Sequence, residues 1–422
     1  MIAKDPPQTV LITANSTGLY PASATDLPKV QPSRVPVTLF AISVAVIITN
    51  LFAPQTLVGL MASSFGLTTA LSGFVAMVSL LGYSAGLFFI VPLADLVENR
   101  RLVLLMLGTA SLCAVGVIIA PNIATLFSLL FVLGAACSAI QVLIPSAAAM
   151  AAPEKRGQVL GDIMSGLMVG ILLSRPIASL LASRWGWQGF YVASAVAIAV
   201  LCLTLAYRLP VRRPAATTSY WGLIASLWKL FSGEPVLRKR SITAAIVMAA
   251  FNIFWTSVVF VLGAAPFHLG QKGAAIFALV GAGGAFFTPM VGRWSDKGWG
   301  ERVTSIAHVV LIAGFAVAAL GGIALSLPSY ILLACLGLSA VALDVGVLGD
   351  QTVGRYQINL LRPEARGRIN AIFVGIFFIG GAVGSAAAGF LWSVGGWAAI
   401  CMGGALSGLL AIVVHRTIPS RG

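Results

Sequence analysis

The chain has 422 residues, of which 59% are hydrophobic and only 9% charged, against roughly 25% charged in a soluble domain. So little polar side chain cannot cover a water-facing surface, which excludes a soluble enzyme or binding module and makes lipid the solvent for much of the exterior. The formal net charge of +14 raises nucleic acid as a partner, but the basic residues are scattered over alternate loops instead of forming one patch, and none is expected.

Residues 1–35 are rich in Pro, Ser and Thr and poor in large apolar groups, and read as a disordered cytoplasmic tail without a cleaved signal peptide. A membrane helix needs about 20 predominantly apolar residues. Such runs lie at 37–60, 69–92, 102–121, 124–150, 158–183 and 189–209, numbered spans 1–6. A polar stretch follows, then spans 7–12 at 241–265, 272–292, 303–325, 328–353, 367–392 and 395–415. The expected fold is an all-α integral membrane protein with twelve transmembrane helices in two six-helix pseudo-symmetric halves. The halves are 36–209 and 241–416, with a linker at 210–240 and a short C-terminal tail at 417–422. The linker mixes Trp221, Leu223, Ile224, Leu227, Trp228, Leu230 and Phe231 with Lys and Arg, the composition of an amphipathic helix lying on the inner leaflet.

Nearly all of the 26 Lys and Arg fall in the tails, the linker and the 2–3, 4–5, 8–9 and 10–11 loops. The loops of opposite parity carry only Arg184 and Lys272, and Arg175 lies inside a span. This asymmetry places both termini in the cytoplasm.

The halves repeat. An offset of 210 residues carries Pro153-Glu154-Lys155-Arg156-Gly157 onto Pro363-Glu364-Ala365-Arg366-Gly367, Gln141 onto Gln351, Gly170 onto Gly380, and Gly186-Trp187 onto Gly396-Trp397. A repeat in the same direction implies a pseudo-two-fold axis along the membrane normal, and transporters of that design bind substrate near the midplane between the halves. The four-residue spacings Gly166/Gly170/Ser174 and Gly380/Gly384 suggest close helix packing at the moving interface.

Two loops sharpen the picture. The 2–3 loop reads Val91-Pro92-Leu93-Ala94-Asp95-Leu96-Val97-Glu98-Asn99-Arg100-Arg101. The 8–9 loop offers a second copy, Gly292-Arg293-Trp294-Ser295-Asp296-Lys297-Gly298. Over about residues 36–416 the chain resembles the major facilitator superfamily, in which the 2–3 loop runs roughly G-x-L-A-D-R-x-G-R-R; Leu93, Ala94, Asp95 and Arg100 match. The resemblance implies gate loops built on Asp95, Arg100, Arg101, Arg293 and Asp296, with Asp accepting from a helix N-terminus or an Arg in one state and releasing it in the other. Within that superfamily the chain resembles bacterial twelve-span drug:proton antiporters, which implies the inner membrane of a bacterial cell as its location. Asn50-Leu51-Phe52-Ala53-Pro54-Gln55 is similar to a stretch of one branch. The fifth span, with Gly166, Gly170, Ser174, Arg175 and Pro176, is loosely similar to the antiporter signature. Leu130 stands where that group has a basic residue in the fourth span.

A charge inside the membrane costs at least about 2.5–3.5 kcal/mol and marks a functional candidate. Three acids qualify as proton-coupling candidates: Asp344, deepest in span 10, then Asp162 and Asp350 near span ends. Arg175 is the single basic residue within a span; it could snorkel outward, pair with an acid, or bind an anionic substrate. The resemblance implies that spans 1, 4, 7 and 10 line the cavity, which adds Asn50, Gln55, Gln141, Asn252, Trp255 and Gln351 as substrate-cavity candidates, although lone polar residues in helices also make structural hydrogen bonds. His268 and His308 have no metal-ligand companions, and no phosphate-binding loop or nucleophile triad occurs, so no enzyme activity, metal or cofactor is expected.

The leading expectation is a monomeric secondary transporter. It would act by proton-coupled efflux of a small amphipathic molecule through alternating access, with protons, the solute and the bilayer as its partners. Uptake or facilitated diffusion of a polar metabolite such as a sugar or nucleoside is the alternative, and a non-transporting receptor the third class.

Overall fold

The computed structural model describes residues 36–214, 219–323, 327–362 and 365–417, so the expected N-terminal tail lies outside it, as do the side chain of Asp296 and residues 418–422. Every regular element among the described residues is helical. Span 1 is Val37–Ser64, span 2 Thr69–Asp95, span 3 Asn99–Ile118 and span 4 Ile123–Met150. Spans 5 and 6 are the two arms of Arg156–Arg208, and spans 11 and 12 those of Arg366–Thr417. Between them come span 7 (Pro235–Gly263), span 9 (Gly300–Ile323) and span 10 (Ser329–Asn359). Span 8 is broken, as Gln271–Gly281, a 3-10 segment Ala282–Phe287, and Thr288–Asp296. With each long hairpin counted as a pair and the broken span as one, the order matches the twelve expected.

The two hairpins turn at Gly186 (φ 67°) and Gly396 (φ 57°), a left-handed backbone conformation that glycine adopts without steric cost. The repeat places a Trp directly after each. Trp187 Nε1 donates to Ser64 Oγ at 2.9 Å, and Trp397 Nε1 donates to the Ala318 carbonyl at 2.8 Å. Each indole thus ties its hairpin to another span.

The glycine ridges do pack closely, but elsewhere than expected. A Cβ on Gly166 or Gly170 would strike the backbone of Ala41 and Ala45 in span 1, and one on Gly380 or Gly384 that of Ala245 and Ala249 in span 7. They therefore weld span 5 to span 1 and span 11 to span 7, inside each group of six. The close approach between the groups is made by Gly73 in span 2, pressed against Ser385 and Gly389 in span 11. In a medium as apolar as the side chains themselves, such backbone approach gives van der Waals cohesion that larger residues would prevent.

Several helices run further than hydropathy suggested. Span 7 begins at Pro235 and span 10 continues to Asn359, so Lys239, Arg240 and Arg355, read as loop residues, are helical. The amphipathic helix appears at Tyr220–Gly233, where the Ser219 hydroxyl accepts from the Gly222 N–H at 3.2 Å as an N-cap. Its Leu223, Leu227 and Leu230 are buried while Trp221 and Trp228 are exposed, the arrangement of an interfacial anchor. Tyr220 Oη donates to the Phe89 carbonyl at 2.9 Å, and Arg368 donates to Ser226 Oγ at 3.0 Å, so the helix straps spans 2 and 11 at the end of the molecule rich in basic loops.

Candidate functional site

A cavity lies among spans 1, 2, 4, 5, 7, 10 and 11, lined by Arg175, Asp344, Gln141, Gln351 and Arg355 and by Phe52, Tyr83, Phe251, Phe377 and Phe378, together with aliphatic residues. Its volume is ≈ 80 Å³, enough for a few water molecules. On span 5 the lining runs from Leu167 to Arg175, and on span 10 from Asp344 to Arg355. Both series extend from the Arg175–Asp344 level toward the basic end.

The floor is a continuous hydrogen-bonded layer. Gln55 Oε1 accepts from Arg175 Nε at 3.2 Å and Nη2 at 3.0 Å. Gln55 Nε2 donates to Asn252 Oδ1, which also accepts from Ser385 Oγ at 3.2 Å. Asn252 Nδ2 donates to the Met248 carbonyl at 2.9 Å. Spans 5, 1, 7 and 11 are joined by this chain, and all four side chains are buried. The guanidinium of Arg175 also lies over three rings, with its carbon 4.2 Å from the centroid of Trp255, 5.2 Å from Phe251 and 5.4 Å from Phe52. Cation–π attraction is strongest where water is excluded and where the ring is Trp, so the aromatic nest offsets the cost of burying this charge.

Asp344 completes the site from span 10. Trp255 Nε1 donates to Asp344 Oδ1 at 3.2 Å, so one indole presents its face to Arg175 and its N–H to Asp344. Among the described residues the two ionisable groups form no direct ion pair; they are joined through Trp255. Broken span 8 closes over the pair: a Cβ on Gly281 would meet the Trp255 ring, and one on Gly284 the Asp344 side chain. These glycines let backbone approach the acid and indole, a role the sequence reading did not assign.

The other sequence candidates separate clearly. Gln141 Nε2 donates to Tyr83 Oη at 3.2 Å and faces the cavity, as does Gln351. Asn50 instead accepts from Ser194 Oγ at 2.7 Å, a contact between spans 1 and 6 away from the cavity. Asp162 sits on the exposed face of span 5 near the basic end and does not line the cavity. Asp350 points the other way from Gln351 and meets His308 Nε2 at 3.1 Å. It belongs to a second buried cluster in which His415 meets Glu301 at 2.7 Å and Arg240 meets Glu301 at 3.0 Å and Thr304 at 3.1 Å.

At the gate loops, Asp95 and Arg101 are exposed, Arg293 is exposed, and Arg100 donates to the Ala206 carbonyl. Glu98, outside the expected set, accepts from Arg213 at 3.5 Å. Span 2 enters this loop through a π-helical turn, Gly86–Ile90, and a 3-10 turn, Val91–Asp95. Such departures from α-geometry recur at functional sites.

Tyr83, Ser385 and Arg355 line or floor the site and were missed. Arg355 had a legible signal: Asp344, Gln351 and Arg355 recur at spacings of seven and four, which puts them on one helical face.

The family model of the Major Facilitator Superfamily matches residues 38–352. This chain belongs to the Major Facilitator Superfamily. It is therefore a multi-pass membrane transporter of a small molecule, in a family of transporters and not of enzymes. It is 33% identical over 392 residues to the putative uncharacterized transporter YgaY of Escherichia coli (strain K12), covering 92% of this chain and 96% of YgaY. It is 28% identical to the probable transporter SCO4007 of Streptomyces coelicolor, over 89% of this chain and 85% of that one. Among solved structures, a D-xylose–proton symporter superposes with a TM-score of 0.71 at 13% identity, over 91% of this chain and 97% of the symporter. The nucleoside transporter NupG superposes at 0.69 and 15–16% identity depending on the structure compared, or 0.68 for the unsubstituted protein, over about nine-tenths of this chain. At such identities the likeness concerns the fold alone.

Proposed function

We propose that this protein is a proton-coupled secondary transporter that exports a small amphipathic molecule by alternating access, with Asp344 as the proton-carrying group. The observation that carries the reading is the placement of Asp344, a buried carboxylate at the cavity floor whose hydrogen-bond donor is a neutral indole and not a cation. A carboxylate without a direct counter-ion can take up a proton and give it back without first breaking an ion pair. Its neighbour Arg175 is already engaged by Gln55 and three rings, so neutralising Asp344 does not orphan the arginine.

The cavity walls support an amphipathic substrate. Phe52, Phe251, Phe377 and Phe378 supply apolar faces, and Gln141 and Gln351 fixed polar points, the mixture typical of small-molecule pockets. Spans 2 and 11 touch at Gly73, Ser385 and Gly389 and again, nearer the basic loops, where Ser84 Oγ donates to the Gly375 carbonyl at 3.0 Å. The small cavity thus lies between two contacts of the same pair of spans, and alternating access requires one of them to part at a time. The six-helix groups 36–209 and 241–416 act as the two moving halves, with 210–240 as the connector.

Uptake of a polar metabolite is the second reading; structures named as sugar–proton and nucleoside transporters share the fold. Proteoliposomes with an imposed pH gradient and a compound panel separate the two. Export predicts solute movement opposite to the proton flux, and transport in the same direction as protons overturns it. Orientation is tested independently: a cysteine near Lys272 should label from outside intact cells and one near Arg238 should not.

A further inference from the structure

The charge left over in the cavity is Arg355. Arg175 has Gln55 and its aromatic nest, and Asp344 has Trp255. Arg355 forms no ion pair among the described residues, and its Nε is sealed from solvent without a hydrogen-bond partner. An arginine keeps its proton in any ordinary environment, so it cannot escape the cost of burial by neutralising. Arg355 is partly buried; leaving the sealed Nε of such a cation without a partner is costly, and an anion that supplies one recovers that cost.

The surroundings are built to receive an anion. Helical side chains lean toward the N-terminus of their helix, which carries the Arg355 guanidinium back from its Cα toward the body of the cavity and the level of Gln351. Tyr83 also lines the cavity and is held by an edge-on contact with Phe378, with ring centroids 4.7 Å apart. Its oxygen already accepts from Gln141, so the phenolic proton is free to donate. A guanidinium fork and a phenol O–H thus face one space with no acidic side chain beside them in the lining; the cavity's acid, Asp344, lies eleven residues away along span 10, about 16 Å of helix rise. Between Asp344 and Arg355 span 10 contributes Val347, Leu348 and Gln351 to the wall, and span 11 adds Phe377 and Phe378 to the lining.

We infer that the transported molecule carries an anionic group, a carboxylate or sulfonate on an apolar body, which docks on Arg355 and Tyr83 while the apolar body lies against Phe377 and Phe378. This deepens the reading of the same cavity as a transport site and rests on it. The anion subsite and the proton site are separate, so either can fail without the other.

The test uses the purified full-length protein and three probes that share one ring system: 2-naphthoate, its neutral amide 2-naphthamide, and the cation 2-naphthylmethylamine. Equilibrium binding should favour the carboxylate by at least about tenfold over the other two, the discrimination expected from charge-assisted hydrogen bonds. Arg355→Gln should lower naphthoate affinity to that of the amide and leave the amide unchanged, and Arg355→Lys should recover part of the difference. Tyr83→Phe, which removes only a hydroxyl, should weaken naphthoate a few-fold and covers the case in which the arginine variants do not fold. Equal or tighter binding of the amine, an unchanged carboxylate preference in Arg355→Gln and Tyr83→Phe, or failure of all three probes to bind at millimolar concentration overturns the assignment. Asp344→Asn measured in parallel separates the two readings. If it keeps the carboxylate preference but loses proton-driven flux, both stand. If it keeps flux while Arg355 still sets the preference, only the proton assignment falls. Loss of flux in Asp344→Asn with no carboxylate preference in the wild type removes only the anion.

Discussion

Two buried polar clusters of this transporter contain similar groups arranged to opposite effect. Around the cavity, Arg175 and Asp344 lie on either side of Trp255 with no direct ion pair among the described residues, and their remaining partners are the amide of Gln55 and aromatic faces. In the cluster of spans 7, 9, 10 and 12, acid meets base directly: Asp350 with His308, Glu301 with His415, and Glu301 with Arg240. All of these residues belong to the last six spans. The cavity cluster, by contrast, draws on spans 1 and 5 as well as 7, 10 and 11. Direct pairs satisfy each charge in one geometry and hold helices together. Asp344 is held by a neutral donor of its own helix group, and that donor carries Arg175 of the other group on its ring face, so the surroundings of the acid change as the groups move. Burial alone therefore does not identify the working carboxylate, since Asp350 is as buried as Asp344.

The sharpest way to break this contrast is Asp344→Asn. The variant keeps size and hydrogen bonding but cannot titrate. We expect it to abolish accumulation against a gradient and to flatten the pH dependence of flux, with downhill exchange retained. Undiminished uphill transport in proteoliposomes would move the coupling role to another group. Trp255→Phe is next. It keeps a ring beneath Arg175 but removes the donor to Asp344, a hydrogen bond to a charged group worth about 1.5–3 kcal/mol. Transport should fall by about tenfold or more, with a shifted pH profile; an unshifted profile in flux assays would show that the indole N–H does not govern the acid. Asp350→Asn tests the other cluster. It should lower thermal stability by about 1–3 kcal/mol, the cost of leaving a buried partner unsatisfied, while the surviving protein keeps its accumulation ratio. Loss of coupling at unchanged melting temperature would erase the distinction between the clusters. The smallest effect belongs to Glu301→Gln. The Glu301 side chain is 58% exposed, although its partners Arg240 and His415 are buried. The amide still accepts hydrogen bonds and water can reach the site, so the melting temperature should fall less than in Asp350→Asn. A large drop there would mean that Glu301 organises the cluster.

Within the sequence, hydropathy found the apolar runs that become the helices, and the basic asymmetry among the loops marked one end of the bundle. The 210-residue repeat matched Gly186-Trp187 to Gly396-Trp397 without marking them as turns; the apolar run of span 12 even starts at residue 395, one residue before Gly396. These features need only local information: a segment's length, its composition, and its likeness to another segment. The ends of spans 7 and 10 were not legible, because a charged residue stops a hydropathy run whether or not its helix continues. That is why Arg240 and Arg355 read as loop residues. The glycine spacings showed that backbones touch but not which ones, since any small-residue ridge accepts any partner of matching shape.

The candidate site was half legible by the same logic. Charge within apolar runs singled out Asp344 and Arg175, and the family resemblance, which implies that spans 1, 4, 7 and 10 line the cavity, added Gln55, Asn252 and Trp255. Depth ranked Asp162 and Asp350 below Asp344, and Asn50 stood beside Gln55, but position along a span says nothing about the direction in which a side chain faces. Sequence by itself determined that this is a membrane bundle with a handful of costly polar residues. Only the tertiary structure decided which of them meet. Pairing is set by helix rotation and by packing between residues more than a hundred positions apart, as when Gln55 reaches Arg175 and Asn252 together, and no local pattern encodes that.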